Sequence, residues 1–151
     1  NKTELLDFVE EITNYAQKMG ISDRVTTDFT EEGFILSINS EFLFESGGAD
    51  IKVDAYPFLR KVAALLKNIN YGIQVEGHTD NRPISNEKFP SNWELSAGRA
   101  ISVVKMLIRM GISPERMSAV GYGEYHPKYS NETEEGRKRN RRVEIKIDLS
   151  K

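Results

Sequence analysis

The feature that most constrains this chain is a change of period in its middle. Over 73–78, Ile73, Val75 and Gly77 alternate with Gln74, Glu76 and His78, the two-residue repeat of a strand with one buried and one polar face. From Asn92 to about Met110 the repeat lengthens to that of a helix, with Trp93, Ala97, Ala100, Val104, Leu107 and Ile108 as the expected buried stripe and Gly111 as its stop. Ser113 and Pro114 suit the cap and first residue of a short turn, and a second strand follows at 116–121. Strand, crossover helix and strand imply a parallel pair joined by a right-handed connection. The half-polar strands argue against helices on both faces, so the expected fold is an α/β two-layer sandwich, a mixed sheet with helices on one side.

The flanking segments fit that frame. FILSIN at 34–39 alternates as a strand and leads into the glycine-containing turn FESGGAD. Tyr56, Leu59, Val62, Ala63 and Leu66 predict a helix over 54–69, a short charged helix is expected near 132–139, and RRVEIKID closes the chain as a strand with Val143, Ile145 and Ile147 on one face. Near the start, Leu5, Val9, Ile12, Ala16 and Met19 form an apolar helical stripe ended by Gly20. That stripe either packs on its own domain or forms the seam of a two-stranded coiled-coil stem. The expected division is a stem helix and lead-in at 1–30 and a single globular domain at 31–151.

Composition narrows the function classes. With 21 basic and 23 acidic residues and a net charge of -2, the whole-chain field favours neither nucleic acid nor an anionic membrane. Cysteine is absent, which removes disulfides and thiolate metal sites. No stretch approaches the roughly 20 consecutive apolar residues that span a bilayer. The chain begins at Asn1 rather than Met, so it is expected to be a piece of a longer protein whose targeting or membrane segment lies upstream.

The polar string EGHTDNRPISNEKFPSNWELSAGRA carries the candidate chemistry. At about 100° per residue, Asn92, Ser96 and Arg99 fall within an arc of roughly 60° on the helix. Thr79 and Asp80 lie where the preceding strand delivers the C-terminal edge of the sheet, a common place for ligands in open α/β sheets. Asp80 and Arg99 are therefore expected at one small cavity. A carboxylate and a fork-shaped guanidinium at one mouth suit a zwitterion such as an amino-acid end group. The same two residues could instead form a salt bridge that ties loop to helix.

HTDN, NWELSAGRA, GYGEYHP and EEGRKRNRRVEI together resemble the OmpA-like peptidoglycan-binding domain over most of residues 35–148. The resemblance implies a βαβαβ core and binding of the uncrosslinked peptide stem of peptidoglycan. Asp80 and Arg99 would grip the amine and carboxylate of its diamino acid, usually diaminopimelate, with Thr79 and Asn92 in support. Leu95 and Ser96 belong to the same N-x-x-L-S-x-x-R-A pattern, and Arg141 to the block that opens the last strand. FLFESGGADIK resembles the family's loop at the pocket, which adds Phe44 and Glu45, although Glu45 stands where an Asp is common. Within the family, the long excursion between Asp80 and Asn92 is most similar to the periplasmic part of flagellar stator B subunits, the MotB group. That resemblance implies a homodimer, a MotA-like partner, a periplasmic or cell-wall-side location and an inner-membrane anchor upstream. A general envelope anchor of an outer-membrane protein or lipoprotein, and a dimerisation module without wall affinity, are the alternatives.

Other signals point elsewhere only weakly. GRKRNRR sits at the end of a short helix, where cations meet the helix dipole, so it does not mark a nucleic-acid site. The glycines of GYGE lack the spacing of a phosphate cradle, and His78 and His126 have no metal-ligand partner in sequence, so no cofactor and no metal are expected. Glu76, His78 and Asp80 share a strand face without a nucleophile motif, which leaves no case for an enzyme. Trp93, central in the apolar stripe, is expected to be a core anchor rather than a sugar platform.

Overall fold

A computed structural model describes residues 2–149. The elements in order are α1 (Lys2–Lys18), β1 (Val25–Thr30), β2 (Gly33–Asn39), α2 (Ser40–Leu43), α3 (Tyr56–Lys67), β3 (Gly72–His78), α4 (Asn92–Arg109), β4 (Met117–Gly121), α5 (Glu134–Asn140) and β5 (Arg142–Asp148). The sheet is mixed, with five strands in the order β1-β2-β5-β3-β4. Only β3 and β4, the pair joined through α4, run parallel, with Val75 beside Ala119. β5 inserts between β2 and β3 and is antiparallel to both, so Val143 faces Ile38 on one side and Gly77 on the other.

The apolar positions of β2, β3 and β5 meet α1, α3 and α4 in one core that includes Leu36, Val75, Ile145, Leu59 and Leu107. The N-terminal stripe packs on its own domain. Leu5, Phe8, Ile12 and Ala16 are buried, and Phe8 meets Phe34 edge-on at 5.5 Å. Met19, expected in that stripe, is half exposed. Among the described residues no helix is long and apolar enough to cross a membrane.

Three expectations need correction. The hairpin strand β1 was not read, because its VTTDFT sequence lies at the sheet edge and its one apolar face holds only Val25 and Phe29, with Thr27 between them. The polar face of β3 is not solvated, since Glu76 and His78 are 2 % and 3 % exposed. The buried arc of α4 is also rotated from the apolar stripe. Trp93 is 50 % and Ile108 36 % exposed, whereas Asn92, Leu95, Ser96, Arg99, Val103 and Met106 are buried. Backbone proximity explains the rotation: a Cβ on Gly77 would overlap the Ser96 carbonyl, and one on Gly121 would overlap the Ala97 backbone. The first turns of α4 thus lie directly on the ends of β3 and β4 and take their orientation from that contact. At the other end, Gly111 (φ 108°) stops the helix as expected, and Ile112 N donates to Leu107 O at 3.0 Å.

Candidate functional site

Strand register brings three chain segments to one edge of the sheet. His78 at the end of β3 and Asn39 at the end of β2 both pair with Arg142 at the start of β5, so residues 39–41, 78–82 and 140–142 converge there. The Asn39 carboxamide caps α2 by accepting from Glu41 N and Phe42 N, and Ser40 N donates to Arg141 O at 2.9 Å. Phe44 and Ile51 bridge to close the loop between them. On the other side, the Ser91 hydroxyl caps α4, which presents Asn92, Leu95 and Arg99.

These segments enclose a cavity of about 670 Å³. Phe44, Glu45, Thr79, Asp80, Asn92, Leu95, Arg99 and Arg141 all line it, and Ser96 does not. Ser96 instead holds the backbone: its hydroxyl accepts from Gly123 N at 2.9 Å and donates to Trp93 O at 3.0 Å. Thr79 contributes shape more than a free hydroxyl, since its Oγ1 donates to Asp80 O at 2.8 Å. Asn92 Nδ2 ties the rim together, donating to Arg82 O at 3.0 Å and to Glu124 Oε1 at 3.2 Å.

The salt bridge between Asp80 and Arg99 is not formed. Asp80 Oδ2 accepts from Arg141 Nη1 at 2.6 Å and Oδ1 accepts from Arg82 N at 2.9 Å, because insertion of β5 next to β3 sets Arg141 beside Asp80. Arg99 reaches the opposite wall. Its Nε donates to Gly48 O at 2.7 Å, Nη2 approaches Glu45 O at 3.4 Å, and the guanidinium lies over the Phe44 ring at 5.0 Å. These polar partners are backbone carbonyls, so among the described residues a buried cation faces the cavity without a carboxylate of its own. Burial, aided by the nearby charge of Arg141, lowers its pKa to about 10, which leaves it protonated at neutral pH. Burial opposes the charge of Arg141 too, but hydrogen bonds to Glu41, Asp80 and Glu134 raise its pKa.

Glu41, Lys52, Arg82 and Glu134 also line the cavity and were not read from the sequence. Arg82 had a local signal, the DNRP turn in which Asp80 accepts from the amide two residues on. Glu134 had none, being 54 positions from Asp80. The lining balances Lys52, Arg82, Arg99 and Arg141 against Glu41, Glu45, Asp80 and Glu134. Such a cavity suits a ligand bearing both signs of charge.

Residues 43–141 match the OmpA family. The chain belongs to that family. This OmpA-family chain is 37 % identical over 149 residues to Motility protein B of Bacillus subtilis, across 97 % of its own length and 57 % of that protein's. It therefore spans little more than half of that relative. A solved structure described as a MotB like protein from Desulfovibrio vulgaris superposes with a TM-score of 0.86 at 31 % identity, covering 95 % of this chain and 93 % of that one. The cell wall anchor of the T6SS from Pseudomonas aeruginosa superposes with a TM-score of 0.83 at 32 % identity, over 91 % and 96 % respectively.

The OmpA-family sheet carries a second polar cluster on the face away from the core. Glu76, His78 and Glu144 place ligand-type atoms within 4.8 Å of one another, a grouping invisible to sequence spacing because Glu144 arrives on β5. Those carboxylates already have cations. Arg142 Nε donates to Glu144 Oε2 at 2.6 Å, Lys128 lies 3.2 Å from Glu144, and Lys146 lies 3.0 Å from Glu76. The set fits an ion-pair network better than a metal centre. Burial raises the Glu76 carboxyl, but hydrogen bonds from His78, Lys146 and Gln74 and the charge of Lys146 prevail and hold it at about 2. Burial lowers His78 and the charge of Arg142 adds to it, so the ring is neutral at pH 7 and donates through Nε2 to Glu76 at 3.1 Å. Its buried Nδ1 has no partner among the described residues.

Proposed function

We propose that this domain is a noncatalytic wall anchor that holds a flagellar stator in place by binding the peptide stem of peptidoglycan without a covalent bond. The observation that carries the reading is Arg99, a buried guanidinium that faces the cavity and, among the described residues, donates only to backbone acceptors. A ligand carboxylate would supply its missing counter-ion through the unused part of the fork, and Asp80 across the cavity would take the ligand's ammonium. The diamino acid of an uncrosslinked stem carries both groups. The names of the relatives support the same reading, one being a motility protein and another a cell wall anchor.

In the full-length protein the domain works in pairs with a MotA-like partner on the periplasmic side of an inner-membrane helix, with residues 1–30 as the lead-in from that helix. The stripe of α1 is used by its own core, so a dimer contact lies elsewhere. Sedimentation of the chain at rising concentration tests that contact directly. An anchor outside the flagellar motor would use the same cavity and differ only in what the domain is attached to.

The test of wall binding is co-sedimentation with purified sacculi. The chain should pellet, and Asp80→Ala and Arg99→Ala should each remain in solution after losing about 2–5 kcal/mol of charged contacts. A chain that stays soluble with sacculi from walls of either diamino acid overturns the reading.

A further inference from the structure

Between β3 and α4 the chain makes an excursion, residues 79–91, that carries no helix or strand. Its base is fixed by Asp80 and Asn92, whose side chains hold the N–H and the carbonyl of Arg82. Its far limb is fixed by Phe89, whose ring lies so close on Gly98 of α4 that a Cβ there would stand 2.9 Å from Cε1. Between them Asn86 builds a turn, its Oδ1 accepting from Lys88 N at 3.0 Å and from Phe89 N at 2.8 Å. The same carboxamide reaches the opposite wall of the cavity, where Nδ2 donates to Gly47 O at 3.3 Å. Ile84 meets that residue too, since a Cβ on Gly47 (φ 68°) would lie 3.7 Å from Ile84 Cδ1. Residues 83–89 thus cross from α4 to the loop that Arg99 holds through Gly48 O.

The crossing changes the chemistry of the cavity. Pro83 and Ile84 join Phe44 and Leu95 as the large apolar side chains of its lining. A ligand gripped at two charged ends by Asp80 and Arg99 has a run of methylenes between them, and those groups favour an apolar wall over water. Ile84 is only half-buried, so it has apolar surface left to cover them. The middle attachment of the excursion is its weakest, an exposed hydrogen bond near the limit of length, whereas both ends are anchored on β3 and α4. The crossing segment can therefore part from Gly47 and reclose without moving either element.

We propose that residues 83–89 form a strap that closes over the aliphatic body of the bound stem end, with Ile84 selecting an unsubstituted methylene chain and Asn86 positioning the strap on Gly47. The strap rests on the wall-binding reading above, and the two fail differently. The chain is passed over two immobilised stem tetrapeptides, one carrying diaminopimelate and one an analogue with a hydroxyl on the central methylene, and binding and release are read by plasmon resonance. The analogue keeps both charged ends in place and changes only the body between them. The parent chain should prefer the unsubstituted ligand about tenfold, because the strap would bury the added hydroxyl. Ile84→Ala should release that ligand about tenfold faster and narrow the preference to about twofold, with Ile84→Val between, while Asn86→Ala should speed release of both peptides. A merely structural role for Ile84 would leave the preference unmoved. A folded Ile84→Ala chain with the parent's preference and release rate, or a parent chain indifferent to the hydroxyl, overturns the strap and leaves the anchor reading in place. Binding of neither peptide overturns both.

Discussion

Arg99→Lys separates charge from geometry at the cavity. Lysine keeps the positive charge but replaces a planar fork with a single flexible donor, so it cannot hold the wall loop and face a ligand together. The structure sets the size of the effect. The 2.7 Å bond from Nε to Gly48 O is a charge-assisted hydrogen bond and should be worth about 1.5–3 kcal/mol. The 3.4 Å approach to Glu45 O adds little, being at the limit of a hydrogen bond. The contact over Phe44, about 1 kcal/mol at a partly buried site, is retained in part by an ammonium. The expected loss is therefore about 2–3 kcal/mol, or roughly 5–10 °C in Tm for a chain of this size. Thermal and urea unfolding followed by circular dichroism measure it, and amide exchange at Lys52, whose N–H donates to Leu43 O, reports whether the loop has loosened. Binding to sacculi should fall as well. A Tm within about 1 °C of the parent would refute the claim that Arg99 fastens the loop.

Three further outcomes are expected. Ser96→Ala leaves Gly123 N–H buried without its acceptor and should cost about 1–3 kcal/mol in urea unfolding, yet the folded variant should still pellet with sacculi, because the side chain is not at the cavity. Gly77→Ala drives a methyl into the Ser96 carbonyl and should cost about 3 kcal/mol, read as a lower urea midpoint, by pushing α4 off the sheet. Stability should fall with acid in two stages. His78 is lowered in the folded state, so below pH 6.5 the unfolded chain takes up its proton first; Glu76, depressed to about 2, supplies stability that is complete above pH 4.5 and is lost as the pH drops toward 2. Urea midpoints from pH 7 to 3 trace both stages, and Glu76→Gln should flatten the lower one.

Period and punctuation were enough to read β3, α4 and β4 as a parallel unit, because a strand repeat giving way to a helical one leaves few topologies. They were not enough to orient α4. A hydropathy stripe ranks Trp93 above Ser96 and Arg99, but the helix start follows the glycines beneath it, which put the polar residues inward and the tryptophan outward. β1 escaped because an edge strand with only Val25 and Phe29 on its inner face, and Thr27 between them, carries too short an apolar alternation to stand out. In the cavity, Thr79, Asp80, Asn92 and Arg99 were legible from the loop and the helix arc. The partner of Asp80 was not: Arg141 lies 61 positions away, and only the antiparallel insertion of β5 brings it near. The buried charges of Glu76 and Glu144 were hidden for the same reason.

The register of the sheet also sets how the molecule would carry a pull. Phe8 against Phe34 places the early turns of α1 at the Gly33 end of β2, and the cavity lies at the Asn39 end, so the two are separated by the length of a seven-residue strand, about 23 Å. Tension between them runs parallel to β2, β5 and β3. The ladder hydrogen bonds lie across that direction and are strained together, as in a lap joint loaded in shear, instead of opening one rung at a time. A domain built this way yields last along the line joining its first helix to its cavity.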